Sequence, residues 1–279
     1  MKLKRRITTI IFHVVMITLG FLMLYPLLWL IGSAFKPTHE IMSTASELIP
    51  RSPTLENFIN GWKGFGRYTY ATFFKNSFLI VIVRVIGTTL TSAMIAFGFA
   101  RVRFTGSKYW FAAMIVTMCI PGFTLNIPIY LMYLKVGLVG TKIPVMLGGW
   151  FGSAYHVFLT MQFMRGIPRE MDEAAVIDGC GWVQLFTRII TPLIKPILAT
   201  VAIMTFMSAW GDYYSSLIYL NKTKDYPVAY ALTLYASENS TNYGPMLAMS
   251  VLSLIPIMTL FFLFQKQLID GISFSGIKG

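Results

Sequence analysis

Residues 10–34 read Ile10-Ile-Phe-His-Val-Val-Met-Ile-Thr-Leu-Gly-Phe-Leu-Met-Leu-Tyr-Pro-Leu-Leu-Trp-Leu-Ile-Gly-Ser-Ala34, with no acid, lysine or arginine among them. A helix needs about 20 mostly apolar residues to cross a bilayer, and this stretch exceeds that. It also exceeds the 7–15-residue core of a cleaved signal peptide, so it reads as a retained first span despite the basic start Met1-Lys-Leu-Lys-Arg-Arg6. Working outward, five further apolar runs follow, at about Ser77–Ala100, Tyr109–Leu134, Ile143–Met164, Ile197–Leu220 and Met246–Gln265. Of the 279 residues, 56% are hydrophobic and 12% charged, against roughly 25% charged in soluble proteins. Too few charges remain to clothe a soluble fold. The expectation is an all-α integral membrane protein with about six transmembrane helices, its residues 1–279 forming a single membrane domain. Pro26, Pro121, Pro128 and Pro256 fall inside the runs and predict bends.

The net charge of +12 comes from lysines and arginines scattered through short loops, without a basic patch interleaved with aromatics. That excludes nucleic acid as a partner and points to lipid headgroups. With the N-terminus inside, thirteen basic residues fall on the inner side and nine on the outer. Five of those nine sit in the long loop from Phe35 to Asn76, where the positive-inside rule has little force. Both termini are therefore expected in the cytoplasm. Cys119 and Cys180 form no CxxC pair and read as two unpaired thiols. With His13, His39 and His156 as the only histidines and no HExxH, neither a metal centre nor a catalytic centre is expected. No Gly-x-x-x-x-Gly-Lys-Ser/Thr loop occurs either, so any ATP-derived energy must come from another chain.

The inner loop, about 165–196, differs from the others. Its core is Arg165-Gly-Ile-Pro-Arg-Glu-Met-Asp-Glu-Ala-Ala-Val-Ile-Asp-Gly-Cys-Gly-Trp182 and continues to Pro192. Pro168 suits a first helical position, and Glu170, Asp172 and Glu173 favour a helix N-terminus. Gly179 and Gly181 permit the turn that stops this helix. Trp182 to Ile190 then forms a second short helix, ended near Pro192. Ala174 and Ala175 are small enough for close approach by another surface. Such a knob suits a groove on a partner protein; a linker lying on the membrane surface explains the same capping signals.

Glu173-Ala174-Ala175, then Gly179, Ile189 and Pro192, resembles the EAA loop of bacterial ABC importer permeases, with Thr191 where the pattern has Leu. The C-terminal stretch from Gly244 through Gln265 to Gly276-Ile-Lys-Gly279 resembles the carbohydrate-uptake branch, and within it the shorter permease subunit of the maltose importer. The resemblance implies the type I importer permease arrangement in a bacterial plasma membrane. It implies a second permease subunit, two ATPase subunits that use ATP and Mg, and an extracytoplasmic solute-binding protein. No cofactor is implied for this chain. Glu173, Ala174, Ala175, Asp178 and Gly179 would contact the ATPase, with Gly276, Lys278 and Gly279 of the tail (about 266–279) adding a further contact. A sugar passing through would meet hydroxyl-binding and ring-stacking groups, and Arg84, Asn126, Tyr155, His156, Trp210, Asp212 and Tyr213 are the polar or aromatic candidates inside or beside the runs. Each is weighed against a structural role, as an ion pair within the bundle or an interfacial anchor. The competing reading is a self-contained secondary transporter or channel subunit, which would need ion-relay acids where Asp212 stands nearly alone.

Overall fold

In lipid, every backbone N–H and C=O must find a partner within the protein, which leaves helices as the economical answer for apolar runs of this length. The computed structural model describes residues 2–236 and 242–273, with side chains from 6 to 236 and from 242 to 266. Helices dominate, and the described residues hold no strand beyond an isolated bridge between Phe65 and Tyr68. In chain order the principal helices are α1 (Lys2–Ala34), α2 (Tyr70–Arg101), α3 (Ser107–Met118), α4 (Asn126–Lys135), α5 (Ile143–Leu147), α6 (Ala154–Arg165), α7 (Glu170–Ile177), α8 (Trp182–Leu193), α9 (Lys195–Trp210), α10 (Tyr213–Tyr219) and α11 (Tyr243–Ser273). The tail expected from about 266 thus begins as the end of α11.

By length and composition alone, the described helices supply three to five candidate spans. Three of these helices, α1, α2 and α11, are long and apolar enough to cross alone. The third run is broken between α3 and α4 by a bend of 100°, and α8 turns into α9 at 77°; taking each bent pair as one span gives five. Pro121 lies at the first of these bends, whereas α1 and α11 continue through Pro26 and Pro256. The fourth run is split. Residues Gly148–Ser153 leave the helical conformation between α5 and α6, with Gly149 at φ +100° and Gly152 at φ +90°. Three glycines within five residues remove the side chains that would have held a helix there.

The chain divides into two compact units. One gathers the chain up to Ala71 with Ala231–Ile255; the other gathers Thr72–Tyr230 with the chain from Pro256 onward. In the first unit α1 leaves most of its apolar side chains uncovered, Met23 and Ile17 among them, as expected of a helix facing lipid or another subunit. The loop after it folds on itself. Asn57 Nδ2 donates to the carbonyls of Ala34 (2.9 Å) and Lys36 (2.7 Å), closing the end of α1. The buried Lys36 ammonium donates to the carbonyls of Thr44 and Glu47, both at 2.7 Å. Tyr235 donates its hydroxyl to the Gly61 carbonyl at 2.8 Å, and burial pushes its phenol well above the ordinary tyrosine range.

The second unit has its largest apolar cluster where α2, α6, α7 and α8 meet, around Ala96, Phe97, Met161, Met164, Ala175, Leu185 and Ile190. Elsewhere in it Lys142 ties Asn76 (2.7 Å) to Asp225 (3.3 Å), and Asn76 Nδ2 donates to the carbonyls of Lys224 and Tyr226. Every member of that polar knot has partners, as burial requires.

Candidate functional site: a helical knob clasped to the end of α2

The segment singled out by its motif folds as two short helices with a glycine stop. α7 begins at Glu170, so Pro168 lies just outside the helix rather than at its first position. The amides of Asp172 and Glu173 both donate to the Arg169 carbonyl. At the other end Gly179 takes φ +82°, its amide bonds the Val176 carbonyl at 3.0 Å, and the Cys180 amide reaches back to Ala175 at 2.9 Å. This pair of bonds is the Schellman stop, which requires the left-handed region that glycine enters without strain. Gly181, at φ −77°, has no such requirement; its amide is received by the Gln184 side chain at 3.2 Å.

The second helix ends at Leu193, near Pro192 as expected, and passes through the proline. Residues Leu185–Ile190 widen into a π turn, the Thr191 hydroxyl donates to the Phe186 carbonyl at 2.7 Å, and the helix runs on to Leu193. A proline in an ordinary α-helix clashes with the carbonyl four residues back. The wider turn makes room for it, and the chain bends only afterwards.

Burial sorts the motif residues. Ala175 is buried at 3% exposure in the cluster with Ala93, Ala96 and Ala100, so its small size serves the packing of α7 on α2. Glu173, Ala174, Asp178 and Gly179 are exposed. So are the apolar Ile177 (85%) and Val183 (75%), and Trp182, whose inner edge meets the Phe97 ring. Val176 is exposed as well, so α7 and the start of α8 together leave a group of apolar side chains uncovered.

Two arginines fasten this knob. Arg101, at the end of α2, places Nε 3.1 Å from Asp172 Oδ2, off the angle of a hydrogen bond, and donates from Nη2 to the Ile167 carbonyl at 2.9 Å. Arg169 reaches the other way, donating to the Ala100 carbonyl at 3.2 Å. Beside them lies a pocket of about 500 Å³ lined by Arg101, Arg103, Arg169, Asp172, Glu173, Val176, Ile177, Trp182 and Leu185. None of this clasp was read from the sequence, because it pairs residues far apart in the chain.

The pathway candidates scatter. Arg84 and Asp212 do meet, Nη1 to Oδ2 at 2.7 Å, and Asp212 also accepts from the Ser215 amide (3.0 Å) and hydroxyl (2.7 Å) as the N-cap of α10. Gly148 packs against the Arg84 guanidinium, at 3.1 Å from where a β-carbon would sit. Tyr155 and His156 stand together after the break, with His156 Nδ1 at 2.9 Å from the Ser153 hydroxyl. Trp210 is buried against Phe206 and Phe78, in the core. Asn126 and Tyr213 lie apart on α4 and α10. The break itself was missed: Trp150 donates its indole N–H to the Val83 carbonyl at 3.1 Å and lies on Gly87, and the Thr91 hydroxyl donates to the Gly149 carbonyl at 3.2 Å. Its signal, Gly148-Gly149 and Gly152 inside an apolar run, was present. Gly276, Lys278 and Gly279 lie outside the described residues. Among the described residues no group of three His, Cys, Asp or Glu gathers to hold a metal.

The fold compares at a TM-score of 0.81 with a bacterial ABC transporter structure involved in the import of the acidic polysaccharide alginate, at 19% identity over 94% of this chain and 96% of that one. The chain is 33% identical to an arabinooligosaccharides transport system permease protein of Halalkalibacterium halodurans, over 94% of this chain and 93% of that protein. It is 29% identical to a galactooligosaccharides transport system permease protein of Bacillus subtilis, over 100% and 99% of the two. The model of the binding-protein-dependent transport system inner membrane component matches residues 88–273. That match spans α2 from Thr88 through the clasped knob to the end of α11, and this chain belongs to that family of multi-pass membrane permeases.

Proposed function

We propose that this chain is a membrane-spanning subunit of a bacterial ATP-driven importer of oligosaccharides, and that the α7–α8 knob is where its ATPase subunits grip. The sugar class rests on the names of its relatives. The grip rests on one observation: the exposed face of the knob alternates unpaired acid with apolar tips, Glu173 beside Ile177, on a base packed into the chain's own core. Glu173 has no side-chain partner among the described residues, which leaves its carboxylate for a basic group on another protein. As a mere dipole-stabilising acid it would contribute only about 0.3–1 kcal/mol. Both termini and the knob then lie on the cytoplasmic side, and the complex includes a second permease, two ATPases and an extracytoplasmic binding protein.

For the sugar path, Tyr155 and His156 beside the Gly148–Ser153 break are the better candidates. Non-helical backbone at membrane depth belongs in buried protein or beside a water-filled cavity. Arg84 and Asp212 spend their charges on each other, which also weighs against a proton relay in a self-contained transporter.

The test is co-purification of the ATPase subunits together with sugar uptake in cells. Ile177→Asp and Glu173→Ala should release the ATPase and abolish uptake while the permease still reaches the membrane. Full ATPase recovery with normal uptake in both variants would refute the docking assignment.

A further inference from the structure

The knob has two mechanical exits into the membrane. One is covalent, through α8 into α9, and it passes through a π turn and a 77° bend. Wide turns and bends are compliant. The other is α2, an unbroken helix of 32 residues whose end is held by the clasp. We propose that Arg101, Asp172 and Arg169 are positioning residues of transport: they lock the docking knob to α2, so that α2 carries its movement to the Gly148–Ser153 break. This rests on the docking assignment above and adds the route by which the push travels.

Three observations carry it. The clasp is reciprocal. Arg101 from α2 grips the loop at the Ile167 carbonyl, and Arg169 from the loop grips α2 at Ala100, one of the carbonyls a helix end leaves without an internal partner. Each arginine therefore resists separation of the two elements in its own direction. Second, the clasp sits at the rim of the Ala96–Ala100–Ala175–Leu185 packing, so it adds to that contact a directional, charge-dependent link. Third, the same α2 holds the break: Val83 receives Trp150, Thr91 bonds Gly149, and Gly87 lies under the indole. From Arg101 to Arg84 the helix covers about 26 Å at 1.5 Å per residue, a lever of membrane-crossing scale.

The experiment uses the complete importer, permeases and ATPases with the binding protein, in lipid vesicles, and reads sugar moved per ATP hydrolysed. Asp172→Asn, Arg101→Gln and the double variant should still bring down the ATPase. Each should lower the sugar-to-ATP ratio by roughly tenfold, within the span that coupling-path substitutions reach. The double should be no worse than either single. A ratio unchanged in both single variants overturns the lever. Loss of ATPase capture in all of them shows the clasp to be needed for docking itself, and overturns the transmission role while leaving the docking assignment standing. Failure of the unaltered permease to capture ATPase would instead refute that assignment. A second measurement holds if a variant does not assemble. With Cys119 and Cys180 replaced by serine, spin labels at Phe104→Cys and Glu170→Cys report the distance between the α2 exit and α7. It should stay constant between nucleotide-free and ATP-bound complexes. A change of about one helical turn, roughly 5 Å, would mean the knob slides on α2 and would overturn the proposal.

Discussion

Removing Arg84 from the Arg84–Asp212 pair separates a structural strut from a sugar contact. The Arg84 and Asp212 side chains are 21% and 16% exposed, so the pair is largely desolvated. Arg84→Gln leaves the Asp212 carboxylate with the Ser215 amide and hydroxyl but without its counter-charge. Breaking a buried pair on one side typically costs about 3–5 kcal/mol. The two remaining donors are charge-assisted bonds that keep part of the solvation, so about 2–3 kcal/mol is the working figure. Asp212→Asn strands the guanidinium against Gly148 and should cost a similar amount. In the double variant neither charge is left alone, and the two losses should fall short of adding by about 2 kcal/mol. The assay is a double-mutant cycle on thermal unfolding of the purified complex, with uptake measured in parallel. A strut predicts that uptake recovers in the double variant along with stability. Additive losses, or a double variant as stable as the parent yet unable to transport, would refute the strut and return Arg84 or Asp212 to the sugar path.

Gly87→Val should be among the most damaging substitutions in α2. Its β-carbon would fall 2.1 Å from the Trp150 indole nitrogen, so the indole must leave the Val83 carbonyl; overpacking of this kind costs about 1–3 kcal/mol, and tryptophan emission should shift as Trp150 is displaced. Asn57→Ala should destabilise the first unit by about 2–4 kcal/mol, because the buried carbonyls of Ala34 and Lys36 lose their donor together. Limited proteolysis of the Phe35–Asn76 loop checks it, and unchanged cleavage would show that the cap carries no load.

What was legible in the sequence was what is local. The apolar runs, the acids at the start of α7 and the glycine stop at Gly179 are all decided within a few residues of themselves, and helix boundaries followed. In the fourth run a local signal was overridden. Ile143–Met164 is mostly apolar, yet the Thr91 hydroxyl satisfies the Gly149 carbonyl and the Trp150 indole anchors to Val83 across a break that hydropathy cannot register. The site was half legible. Glu173, Ala174, Asp178 and Gly179 are exposed on the knob, whereas Ala175 turns inward because helices packing alanine to alanine approach closest there. Arg101 with Asp172, Arg84 with Asp212, and Lys142 with Asp225 join residues from 71 to 128 positions apart. No periodicity within one helix encodes such a choice of partner.

The spacing of Gly179 and Pro192 has a physical cause in these elements. The Schellman stop at Gly179 fixes where α8 can begin. From that start Leu185 and Ile190 must both point into the cluster under Phe97, and both are buried there at 2% and 0% exposure. An ordinary helix advances about 100° per residue, so five residues turn about 500°, well past one full circle. The two side chains would then diverge by about 140°. A π turn spreads more residues over each revolution and brings positions five apart back onto one face. The same widening seats Pro192, whose missing amide and ring would otherwise disturb the turn at Arg188. Burial of the two apolar residues and tolerance of the proline are thus one requirement. A residue gained or lost between the glycine and the proline would violate both at once.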